Sequence, residues 1–201
     1  LVVLALCCWA SMSVAADLTA VGPAGNGNGT PQDNRDAFYC QLPDPNGSGL
    51  SSQIDFIYPF DSGCIDDFMA PSNAPINFVE WWGVYWNGAG LSDYFVISFF
   101  ADNGQCYPEA EPFYQEDIFV YNEVFDAGAG WYALSAEIPE VPMAEGQMYW
   151  IEIQSVMEFT VGGQWGWQTS AETNYCDPLQ GFPFLDIPYW SPIDYPAMSF
   201  C

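Results

Sequence analysis

Carboxylates are the side chains with which this chain could do chemistry. It holds 26 Asp and Glu but no histidine, no lysine and a single arginine, Arg35. Without histidine there is no Ser-His-Asp triad and no imidazole metal site, and without lysine there is no Schiff base. Paired carboxylates can hydrolyse glycosides, and Glu80, Glu152 and Glu158 stand near aromatic residues. Among so many acids, some neighbour a tryptophan by chance, so an acid-pair glycosidase is the hypothesis that we favour least. We expect that this protein is not an enzyme.

A hard cation is a second use for these acids. Oxygen ligands stand at Asp44, Asn46 and Ser48, a glycine follows at Gly49, and Asp55 occupies the twelfth position. This order matches the start of a calcium loop, although position twelve is usually Glu. A turn of the Asx type explains the same residues, so calcium binding and a plain turn both remain open.

Tryptophans form two clusters that could bind a ligand or a neighbouring subunit. If both segments are strands, alternation places Trp82 and Trp86 on one face, and Trp165 shares a face with Trp167. Rings on an exposed face would stack on sugars or cover a subunit interface. The simpler alternative is that both faces are covered and the rings belong to the core.

The N-terminal run of residues 1–16 is apolar and ends in Val14-Ala15-Ala16 before Asp17. Small residues at these positions are typical of a signal-peptidase site, and the run is too short to span a bilayer comfortably. We expect either a signal peptide or a retained assembly segment. Residues 17–37 are rich in glycine and asparagine and predict a flexible arm, and residues 38–201 form the remaining domain.

Seven cysteines fit an exported protein in an oxidising compartment. Spacing does not determine their connectivity, but we expect two bridges, Cys40–Cys64 as a local staple and Cys106–Cys176. Cys201 would then pair with another chain or with residues beyond it. The triplets beginning at Asn28 and Asn46 are glycosylation sequons.

Short apolar or alternating runs recur from residue 38 onward, separated by Gly, Pro, Asn and Asp, and no convincing amphipathic helix appears. This pattern predicts an all-β fold, an antiparallel β-sandwich of jelly-roll type with an extended N-terminal arm. The proline-rich stretch 176–196 predicts a long connection. The predicted strands are Ile54–Tyr58, Ile65–Met69, Ile76–Trp86, Tyr94–Ala101, Ile118–Phe125, Trp131–Ile138, Met148–Met157, Gln164–Thr169 and one near Ala197–Cys201.

Three motifs resemble a β-sandwich domain that is common in large secreted bacterial surface proteins. They are Asp66-Asp67-Phe68, the strand end Phe99 to Gly104, and Gly-Gly-Gln-Trp-Gly-Trp from Gly162 to Trp167. The resemblance covers roughly residues 49–169 and implies a structural domain without an assigned enzymatic role. The added cysteines, and an end where the family's final strand would still be in progress, depart from that pattern.

A formal charge of −25 repels nucleic acid and anionic lipid, so we expect neither as a partner, and no membrane for the mature form. We expect an extracellular or cell-surface structural protein that assembles with copies of itself into a filament or layer. A sandwich lacking its last strand would accept a neighbour's arm by strand addition. The alternative is a carbohydrate-binding module that uses exposed tryptophans.

Overall fold

The computed structural model describes residues 38–59, 61–183 and 190–201, so the two predicted N-terminal segments, Asn28 and Arg35 lie outside the described residues. One short helix, α1, covers Phe159–Gly162. The strands are β1 Gly49–Ser51, β2 Gln53–Ile54, β3 Gly63–Met69, β4 Ile76–Trp86, β5 Tyr94–Ala101, β6 Tyr114–Ile118, β7 Asn122–Asp126, β8 Trp131–Val141, β9 Met148–Val156, β10 Gln164–Ser170, β11 Leu179–Gly181, β12 Ser191–Pro192 and β13 Ala197–Met198.

Two sheets pack face to face and confirm the predicted all-β sandwich. The first sheet has the order β1-β10-β4-β8-β7, with β13 also paired to β10. The second has the order β12-β11-β3-β9-β5-β6, with β2 added beside β9. Every strand pair is antiparallel except β2 with β9. No helix among the described residues is long and apolar enough to cross a membrane.

Alternation along the strands builds the core between the sheets. On β8, Leu134, Ala136 and Ile138 are buried, as their period of two predicts. The ring of Phe95 on β5 lies between two tryptophans of the first sheet, 5.2 Å from Trp81 and 5.1 Å from Trp165, both edge to face. Such geometry is the one that aromatic pairs prefer.

Gly83 makes room for this arrangement. It lies opposite Trp167 on the inner face of β4, and a Cβ on it would stand 2.5 Å from three atoms of the Trp165 ring. A side chain at this position would have to displace a fully buried indole, so glycine is required by close approach and not by backbone conformation.

The C-terminal residues pair within the first sheet. Phe200 is bridged to Trp81 on one side and to Gln41 on the other. Gln41 and Phe200 exchange two backbone hydrogen bonds of 2.7 and 3.0 Å. This segment is therefore paired on both sides and leaves no gap there for a neighbour's arm.

Two predicted strands differ from the structure for local reasons. The predicted strand Ile118–Phe125 is divided between β6 and β7, which belong to different sheets, so residues 119–121 cross from one sheet to the other. The predicted strand Ile54–Tyr58 ends at Ile54. There the Asp55 carboxylate accepts the backbone N–H groups of Ile57 and Tyr58 and turns the chain. The connection predicted over 176–196 contains the short strands β11 and β12.

Candidate functional site: an apolar end and an open sheet edge

One end of the sandwich carries a group of large apolar side chains that face solvent. At this end β2, β4, β6 and β9 finish, and β5 and β10 begin. We call this surface the apolar end. Its exposed side chains are Phe56, Ile57, Tyr58, Leu91, Phe119, Val120, Phe159 and Val161.

Hydrogen bonds hold the loops of the apolar end in place. Asp55 joins two of them, because its Oδ1 caps the turn after β2 and its Oδ2 accepts the backbone N–H of Phe159 at 2.8 Å. The N–H of Gly90 donates to the carbonyl of Gly162 at 2.9 Å and brings the Leu91 loop against α1. The apolar side chains therefore project from loops that are joined to one another by hydrogen bonds.

Ring contacts join the aromatic residues of this surface into two groups. Tyr94 lies between Phe56, at 6.4 Å, and Phe119, at 4.6 Å, while Tyr58 meets Phe159 edge to face at 6.5 Å. If a fully exposed large side chain presents about 200 Å², the eight expose on the order of 800 Å² together. The largest contiguous apolar patch on a typical monomer is about 300–600 Å², so the summed exposure at this end is of at least that order.

An open sheet edge adjoins this surface. Val120, 85% exposed, lies in the crossing that leads from β6 to β7. β7 is the last strand of the first sheet, and no other described strand pairs with its far side. Val124 and Phe125 on it are 64% and 53% exposed. The edge strand therefore also carries exposed apolar side chains, one on each of its faces.

Three carboxyl groups of the described residues are buried, although every predicted use of acids placed them at the surface. Asp66 faces the core. Its Oδ2 accepts the backbone N–H of Met198 at 2.6 Å and the Nε2 group of Gln41 at 3.1 Å. Burial raises the pKa of Asp66 to about 8. These bonds tie β3 to the C-terminal strand, so the role of Asp66 is architectural.

Asp67 and Glu152 lie on the opposite, outer face of the second sheet. Asp67 accepts the N–H of Cys176 at 3.1 Å, and burial raises its pKa to about 6. Glu152 is 4% exposed, and its Oε1 accepts no hydrogen bond from a described residue. This atom lies 2.3 Å from where a Cβ on Gly63 would stand, and Trp190 Cη2 lies 3.2 Å from the same point. Burial raises the pKa of Glu152 to about 8.

The predicted tryptophan platform is wrong for three of its four residues. Trp165 and Trp167 are core residues with no exposed area, and Trp82 is buried as well. Trp86 is half-buried, with its ring laid across Gly166. Gly83 and Gly166 leave room for the rings of Trp165 and Trp86 respectively. Most of the aromatic residues that do face solvent lie outside the strands, where strand alternation could not identify them, and Phe78 on β4 and Phe125 on β7 are the exceptions.

The predicted calcium ligands serve two separate turns. Asp44 Oδ1 accepts the N–H of Asn46 at 2.8 Å, which is the Asx turn weighed as the alternative, and the N–H of Ser48 donates to Thr169 Oγ1 at 2.9 Å. Asp55 belongs to the apolar end instead. Within the described ranges no group of three or more Cys, Asp or Glu is placed to hold a metal ion. Asn46 is exposed, and its glycosylation stays a prediction.

The predicted disulfide Cys106–Cys176 is present, but Cys40 pairs with Cys201, 161 residues away, and not with Cys64. Cys64 is a free thiol that points into the core, 3.4 Å from the carbonyl of Ser51. The staple prediction failed because the C-terminal strand carries Cys201 to the side of the segment that begins the domain. Two disulfides indicate that the protein folds in an oxidising compartment.

The three carboxylates considered for glycoside hydrolysis do not pair. By alternation Glu80 lies on the outer face of the first sheet, beside the C-terminal residue. Glu152 lies on the outer face of the second sheet, and Glu158 precedes α1 at the apolar end. A glycosidase needs its two carboxyl groups within roughly 5–10 Å across one cleft, which this placement does not provide.

The fold thus defines a two-sheet antiparallel β-sandwich whose most unusual described surface is apolar. Comparison with protein-family models, with curated proteins and with solved structures finds no match to this chain. The resemblance to secreted bacterial surface domains therefore stays a prediction.

Proposed function

We propose that this protein is an extracellular structural component that assembles with copies of itself into a filament or layer, and that the apolar end is a contact between copies. The observation that carries the proposal is the group of eight exposed apolar side chains at this end. Their summed exposed area, on the order of 800 Å², is similar to what each partner contributes to an interface of standard size.

The charge of the chain favours contact at this surface over contact elsewhere. With a formal charge of −25, two copies repel each other wherever their carboxylates meet. None of the eight exposed side chains of the apolar end is charged. Apolar contact needs no ion pair, and salt of roughly 0.15 M screens the remaining repulsion beyond about 8 Å. Copies would therefore meet where apolar area is greatest, with the carboxylates of Asp55, Asp93 and Glu158 beside the contact.

The extracellular location is supported by the two disulfides and by the leader-like residues 1–16. Because three of the four tryptophans proposed to bind sugars are buried, no described feature favours the carbohydrate-binding alternative over self-assembly.

Sedimentation velocity on a matched pair of variants tests the proposal. Phe119→Ser removes a ring that is 66% exposed at the apolar end, whereas Phe113→Ser removes a ring that is 46% exposed at the other end of β6. An aromatic residue central to an interface contributes about 2 kcal/mol, so we expect Phe119→Ser to weaken association about 30-fold. Phe113→Ser should leave it unchanged. If the wild type is monomeric at all concentrations, or both variants associate equally, the proposal is wrong.

A further inference from the structure

The edge strand β7 lacks most of the usual protections of a sheet edge and has only two charged side chains, Glu123 and Asp126. Natural edges are blunted by lysine, proline, bulges or very short strands. β7 reads Asn-Glu-Val-Phe-Asp, contains no proline or lysine, and pairs with β8 over all five residues without a register shift. Its free side is therefore a regular row of backbone donors and acceptors.

The two carboxylates of β7 are held within their own subunit. Glu123 accepts a hydrogen bond of 2.8 Å from the hydroxyl of Tyr85. Asp126 Oδ1 accepts the backbone N–H groups of Gly128 and Ala129 at 2.8 and 3.1 Å. Both acids are thus partnered at the turn or beneath the strand, so they do not block an approaching strand as a free charged side chain would.

The order of residues in β7 suits antiparallel pairing with itself. A two-fold axis through Val124 places Val124 opposite Val124, Asn122 opposite Asp126, and Glu123 opposite Phe125. No acid then faces an acid. The same operation on β6, centred on Glu116, places Glu116 directly opposite Glu116, and like charges opposite each other destabilise a strand pair. The other edges, β1 and β12, have three and two residues.

We propose that β7 pairs antiparallel with β7 of a second copy about a two-fold axis through Val124, so that the first sheets of two copies form one continuous sheet. This inference rests on the proposed function, because it presumes that copies associate. It adds a second contact whose atoms differ from those of the apolar end. A subunit with two different self-complementary contacts can build an open chain, whereas a single two-fold contact closes as a dimer.

Cross-linking of the full chain tests the register. Val124→Cys is treated with a short bis-maleimide, and the linked peptides are identified by mass spectrometry. Directly opposed Cβ atoms in an antiparallel pair lie about 4.5–5.5 Å apart, so a dimer linked through position 124 should dominate. Glu140→Cys, an exposed position far along β8, is the control and should give at least tenfold less dimer. Equal yields from the two variants would overturn the proposal.

Combining the variants separates this inference from the proposed function. With Phe119→Ser added, the dimer linked through position 124 should persist while larger species disappear. If Phe119→Ser leaves the larger species unchanged and the link forms, the apolar end is not a contact but the β7 pair stands. If Phe119→Ser reduces association and no link forms, the apolar end stands and the β7 pair is wrong.

Discussion

The buried carboxyl of Glu152 makes a sharp prediction about pH. In the folded protein its pKa is about 8, against an ordinary value of 4.5, because the group is removed from water. Between these two values the folded state keeps a proton that the unfolded chain has released. Stability falls with rising pH wherever the folded state binds more protons. The contribution of Glu152 is therefore complete below pH 4.5 and is lost as the pH rises toward 8.

The size of the effect follows from the shift. A shift of one pKa unit corresponds to about 1.4 kcal/mol. Raising the pH from 5 to 7 should therefore lower the free energy of unfolding by roughly 2 to 3 kcal/mol through Glu152 alone. Asp66 is shifted in the same direction, also to about 8, and Asp67 to about 6. All three make the fold more stable in mild acid than in alkali, in contrast to proteins whose carboxylates are paired with cations.

Replacement of Glu152 by Gln isolates its share. The amide is nearly isosteric with the carboxyl group and does not titrate. Between pH 5 and pH 7 the free energy of unfolding should therefore fall by roughly 2 to 3 kcal/mol less in Glu152→Gln than in the wild type. Urea unfolding at both pH values measures this difference. Glu140→Gln makes the same substitution at an exposed position and shows how much of the change arises from the acidic surface in general. A pH dependence in Glu152→Gln equal to that of the wild type would refute the reasoning.

Two further substitutions test what holds the sandwich together. Gly83→Ala places a methyl group against the Trp165 indole and should destabilise the fold by about 1–3 kcal/mol, measured by urea unfolding, and no loss would show that the ring can move aside. Joint replacement of Cys40 and Cys201 by Ser should cost about 2–5 kcal/mol because it frees the C-terminal strand, and an unchanged unfolding midpoint would contradict this.

The local sequence pattern was sufficient to predict the positions of the long strands. β4 and β5 have the predicted bounds, and the inner face of β8 follows its period of two. On β8 one face is buried, which repeats the same constraint at every second residue, and β5 is a continuous apolar run that is buried on both faces. The strand assigned to Ile118–Phe125 lacked such a constraint, because its middle residues leave one sheet before the next begins.

Features that depend on distant parts of the chain could not be predicted in the same way. Whether Trp82 is exposed depends on what covers the outer face of its sheet. The partner of Cys40 depends on where the last strand inserts, 161 residues later. The apolar end is the union of loops from four parts of the chain. Each loop contributes one to three apolar residues, and only the fold brings them together.

The amino-acid composition and the structure together limit which forces can hold two copies together. The described residues contain no cationic side chain, since Arg35 lies outside them and lysine and histidine are absent. Two copies cannot therefore be joined by ion pairs between their sandwiches. Apolar burial and backbone hydrogen bonding are the attractive forces that need no opposite charge. The apolar end offers the first and the edge of β7 offers the second, which is why these two surfaces, and not the acidic faces between them, are where assembly should be tested.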